Sequence, residues 1–135
     1  MRNKKLDQLI IQLENYSECW KQFNRYLSQA RTKKWEPDDE VQFLEVKTVL
    51  TQELEMILSS IDCTQPSREE IHSLIGSAPS LRFLGDASEG VLRGLENQWH
   101  KIYIAWQSIL GQLKVQQRQL DSQSVISTLI KGKRS

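Results

Sequence analysis

The sequence predicts an all-α protein: an antiparallel bundle of three long helices with a short helical cap between the second and third. Apolar residues recur at steps of three and four along three long stretches, the period of a helix with one buried side. Glycine and proline are scarce, at 6 and 3 of 135 residues, as a mostly helical chain requires. Residues that start helices stand at the boundaries between the stretches.

The first helix is expected from about Lys5 to Lys33. Its seam is Leu6, Leu9, Leu13, Tyr16, Trp20, Phe23, Leu27 and Ala30, a coiled-coil-like spacing that needs a partner surface. Arg31, Lys33 and Lys34 place cations at its C-terminal end, where the helix dipole favours them. Proline followed by three carboxylates, Pro37-Asp38-Asp39-Glu40, marks the next helix start. The linker between is only a few residues, so the two helices are expected to be antiparallel neighbours.

The second helix is expected from about Pro37 to Asp62. Phe43, Val46, Leu50, Leu54, Ile57 and Ile61 form its seam, and Leu44 and Leu58 widen it. A stripe that wide predicts contact with both other long helices. In the connector, Ser67 and Glu70 fit a capping box, and Gly76 ends a short helix. Pro79 to Gly85 adds another turn. Leu74, Ile75, Leu81, Phe83 and Leu84 are too apolar for a solvated linker, so this segment is read as a cap over one end of the bundle.

The third helix is expected to start near Asp86, where Asp86 and Glu89 offer a second capping box. Its seam is Leu92, Leu95, Trp99, Ile102, Trp106, Ile109 and Leu113. After Leu113 the stripe thins into a glutamine-rich run, although helix propensity continues. Val125, Ile126, Leu129 and Ile130 then form a separate apolar cluster before the basic Lys131-Gly132-Lys133-Arg134. Residues 1–123 are therefore read as one domain and residues 124–135 as an apolar and basic tail.

Composition narrows the function classes. Lys and Arg number 18 against 17 Asp and Glu, so the near-zero balance gives no global attraction to nucleic acid or anionic membrane. Nucleic-acid binding is the weakest reading. The basic runs at 2–5 and 31–34 fall at opposite ends of the first helix, about 40 Å apart, and make no single patch. No apolar run is long enough for a membrane-spanning helix. Arg2-Asn3-Lys4-Lys5 resembles the start of a signal peptide, but Asp7, Gln8, Gln12 and Glu14 interrupt the apolar core such a peptide needs. Cys19 and Cys63 are far apart and read as free thiols, which predicts a cytoplasmic protein.

Candidate chemistry is sparse. Glu69 and His72 have the Glu-x-x-His spacing of di-iron bundles, but His100 has Asn97 at the matching position, so the second half of that motif is missing. His72 is read as solvent-facing. No nucleophile motif or phosphate-binding glycine loop accompanies His100. Asp38, Asp39 and Glu40 are read as complement to a helix dipole rather than a cation site. Trp20, Trp99 and Trp106 occupy seam positions and are expected in the core. Trp35, in the inter-helix turn, has no evident core slot.

These observations predict a non-catalytic helical protein–protein interaction module of the adaptor, chaperone or assembly-factor type, with no cofactor and no metal. Its contact residues are expected to be Trp35, Val125, Ile126, Leu129 and Ile130, facing a protein partner or a second copy in a dimer. The alternative is a helix-bundle enzyme or metal-binding protein with a dispersed site.

Overall fold

Asn3 sets the first helix. Its side-chain oxygen accepts from the backbone N–H groups of Lys5 and Leu6, and α1 (Lys4–Thr32) follows. Lys33 stops it in the left-handed region, φ 59°, with its N–H on the Ala30 carbonyl. A computed structural model describes residues 3–61 and 65–134, with side chains described as far as residue 123. Expectations that fall on Arg2, Asp62 and Cys63 lie outside the described residues.

The remaining elements are α2 (Pro37–Gln52), α3 (Leu54–Ser60), α4 (Arg68–Gly76), α5 (Leu81–Asp86) and α6 (Glu89–Arg134). The protein is all-α, with no strand among the described residues. No described helix is long and apolar enough to cross a membrane. At α2 Pro37 opens the helix as expected, and Asp39 in addition accepts from the Glu36 N–H at 2.9 Å; at α4 Ser67 caps as expected by accepting from the Glu70 N–H, but the return bond from Glu70 is not formed and its carboxylate lies 3.4 Å from Lys101. The start of α6 differs from expectation. Ser88, not Asp86, caps it by accepting from the Val91 N–H, while Asp86 ends α5.

The second long helix is broken at Glu53 and finishes at Ser60. The break coincides with a tertiary contact. In an unbroken helix the Leu50 carbonyl accepts from the Leu54 N–H, but here the Tyr16 hydroxyl donates to that carbonyl at 2.6 Å. A side chain inserted into the ladder bends or breaks a helix at that point.

Pairwise contacts fix the course of the chain. Gln12 meets Met56, Tyr16 meets Leu50 and Tyr26 meets Gln42, so α2 and α3 run opposite to α1. Asp7 meets Gln117, Trp20 meets Trp99, and Arg31 meets Glu89 and Glu96, so α6 also runs opposite to α1. The connector is not a cap over one end. Arg68 bonds Glu55 of α3, and the Leu81 N–H bonds Glu40 in the first turn of α2. The segment therefore climbs back along the side, as a return leg made of two short helices.

α1 is the element shared by the others. It packs closely against α2, α3, α5 and α6, whereas α2 approaches α1, α3, α4 and α5. This corrects the expectation that the second helix lies against both other long ones. α2 and α6 both oppose α1 and thus run parallel to each other, so α1 mediates between them. The core follows the α1 seam. Tyr16, Trp20, Phe23, Phe43 and Trp106 are fully buried, and Tyr16 stands edge-on to both Trp20 and Trp106 at 6.3 and 5.5 Å.

Candidate functional site

Trp35 does have a slot. Its ring lies over Gly85 of α5 and packs against the core, partly buried. A methyl group at Gly85 would stand 2.9 Å from Cζ3 of that ring. The signal in the sequence was Gly85 itself: a glycine inside a short apolar helix marks a close approach.

Trp20 and Trp106 are sealed in the core and present no ring to a partner. Trp99 is half-buried; its indole N–H donates to the Trp20 carbonyl at 2.7 Å, and its ring stacks on Tyr103 at 4.8 Å. This aromatic pair locks α6 to α1 at mid-height.

The three carboxylates at the start of α2 each hold a structural partner. Asp38 accepts from Gln42, Asp39 from Gln29 and the Glu36 N–H, and Glu40 from the Leu81 N–H at 2.7 Å. Glu40 thereby joins Ser80, which accepts from the Phe83 N–H, in capping α5. His72 and Glu69 are exposed on α4, and His100 is exposed beside Trp99. Among the described residues, no group of three His, Cys, Asp or Glu side chains converges in the way a metal ion requires.

Electrostatics at the junctions are local. Arg31 bridges Glu89 and Glu96 of α6 at 2.9 and 2.6 Å, tying the two helix ends together. Arg68 holds the Glu55 carboxyl below its ordinary range through their hydrogen bonds. Cys19 is a free, partly buried thiol, and burial raises its pKa.

The lower end of the fold is different in kind. Among the described residues, the hydrogen bond between α1 and α6 nearest this end is Gln117 to Asp7, 2.8 Å. Leu120 still packs on the core, whereas Asp121, Ser122 and Gln123 are exposed. α6 nevertheless continues as helix to Arg134. Val125, Ile126, Leu129 and Ile130 belong to this continuation, and their side chains lie outside the described residues. Where α1, α3 and α6 part, a groove of about 610 Å³ opens, with Leu6, Leu9, Ile61 and Leu113 inside and glutamines 8, 12, 112 and 116 along it.

From Lys114 to Arg134, α6 carries the cations Lys114, Arg118, Lys131, Lys133 and Arg134 against the single carboxylate Asp121. This stretch of the helix is thus one of the basic parts of a nearly neutral chain. No family model, curated protein or solved structure matches the chain.

Proposed function

We propose that this protein is a non-catalytic helical interaction module that presents the C-terminal part of α6 to a protein partner. The observation that carries this reading is the mismatch in helix length. α6 has 46 residues and α1 has 29; at 1.5 Å per residue they span about 69 and 43 Å. α1, α2–α3 and α6 make an antiparallel bundle of three long legs with coiled-coil-like seams, and that bundle ends where α1 begins.

The apolar cluster supports the same reading. Val125, Ile126, Leu129 and Ile130 occur at spacings that share one side of a helix. Leaving such a cluster in water forgoes roughly 25 cal/mol per Å² of apolar surface, which favours a covered state. A reducing, cytoplasmic setting fits the free thiol of Cys19.

The test replaces Val125, Ile126, Leu129 and Ile130 together by glutamine, a good helix former. Helicity by circular dichroism should be retained. Self-association by light scattering, or protein capture from native lysate, should fall at least about tenfold, the equivalent of 1.4 kcal/mol. Unchanged association and capture would overturn the reading.

A further inference from the structure

At its lower end the bundle loses a leg. Met56 of α3 is level with Gln12 of α1, and α3 stops at Ser60. α1 and α6 both run on past that point, to Lys4 and Arg134. The groove between α1, α3 and α6 is the space beside them. Leu9, Ile61, Ile109 and Leu113 on its floor are only half-buried. Gln8 and Gln12 form one rim, and Gln112 and Gln116 the other, each pair one turn apart.

Charge is the second observation. Among the described residues no carboxylate lines the groove, and Lys5 is its one charged side chain. Lys4, Lys114 and Arg118 stand at the same end of the bundle, because α1 starts where α6 leaves it. None of these four cations forms an ion pair among the described residues. Asp7, the carboxylate nearest them on α1, is held by Gln117. The basic run at the other end of α1 is balanced instead, with Arg31 between Glu89 and Glu96. Down α6, Lys131, Lys133 and Arg134 add charge of the same sign. A partner for this end must therefore be acidic.

Shape and composition narrow the class of partner. A concave channel beside two parting helices admits a chain segment, whereas a bilayer offers a flat surface. Single-stranded nucleic acid is gripped by stacking on aromatic rings, and no Trp, Tyr or Phe occurs before Tyr16 or after Trp106. Duplex phosphates are held by polar and cationic groups, which leaves an apolar floor without a use.

We infer that the groove and the adjoining part of α6 receive an acidic amphipathic helix of a partner protein. Its apolar side lies on Leu9, Ile61, Ile109 and Leu113, in line with the end of α3, and its carboxylates meet Lys5 and the cations of α6. The inference rests on the reading of α6 as the interaction element and names the chemistry of its partner.

The probe is a labelled synthetic peptide with leucine at heptad seam positions and glutamate and alanine elsewhere, titrated with the full chain and read by fluorescence anisotropy. It should bind with a Kd below about 100 μM, more weakly as salt is added. The matched peptide with lysine for glutamate should bind at least tenfold more weakly. Lys5→Glu and Leu9→Gln should each weaken the acidic peptide at least tenfold while circular dichroism shows helicity retained. Equal binding of the two peptides, or indifference to both substitutions, would overturn the inference. Tighter binding of phosphatidylglycerol vesicles or of duplex DNA than of the acidic peptide would overturn it too, in favour of a lipid or nucleic-acid partner. If the acidic peptide fails to bind but the glutamine variant at 125, 126, 129 and 130 still loses association, only this inference falls; if that variant loses nothing either, the reading of α6 falls with it.

Discussion

The Tyr16 hydroxyl donates to the Leu50 carbonyl across the α1–α2 contact at 2.6 Å, deep in the core. This bond diverts a carbonyl from the helical ladder and accompanies the break at Glu53. Burial, with a smaller contribution from Glu53, pushes the phenol far above its ordinary pKa.

Tyr16→Phe should therefore cost about 1 kcal/mol at neutral pH, the usual net value of such a bond. The unfolded phenol ionises near pH 10, whereas the folded one keeps its proton to higher pH. The folded state holds more protons there, so this contribution is present below about pH 10 and is lost as pH rises above it. Urea melts of both proteins at neutral and alkaline pH check this. The gap between them should narrow in alkali; a gap that stays constant would refute the linkage.

Trp106→Ala should destabilise the protein by roughly 3–5 kcal/mol, the range for a large buried aromatic. The ring is fully buried and stands edge-on to Tyr16, so the cavity would open between α1 and α6. Denaturant melts measure it. A loss below about 1 kcal/mol would mean that this seam is not the core.

Gly85 and Gly94 should respond to alanine with opposite signs. At Gly85 the new methyl meets the Trp35 ring, and overpacking of this kind costs about 1–3 kcal/mol. Gly94 has nothing within 4 Å, so alanine there should gain about 0.5–1 kcal/mol from helix propensity. A smaller ring, Trp35→Phe, combined with Gly85→Ala should recover part of the loss, as expected of residues in contact. Additive effects in that double variant would show that the two do not touch.

Much of this fold was legible in the sequence because seams are periodic. Leu13, Tyr16, Trp20, Phe23 and Leu27 were expected inside and are fully buried. The errors have physical reasons. A period of 3.6 admits either of two adjacent positions, so the structure buries Ile10 and Leu110 where the seam suggested Leu9 and Ile109. Phe83, read as part of the cap's apolar side, is 50% exposed.

Long-range effects left no local trace. The break at Glu53 coincides with a bond from a tyrosine in another helix, and α4 and α5 meet Glu55 and Glu40, which lie 13 and 41 residues before their partners. For the candidate site, the apolar cluster at 125–130 was visible as a run without a matching seam.

Thermal unfolding of the chain truncated after Gln123 tests most directly whether the association surface lies outside the folding unit. The melting temperature should stay within about 3 °C of the full chain, less than about 1 kcal/mol for a domain of this size. A fall of about 10 °C or more would place residues 124–135 in the protein's own core and contradict it.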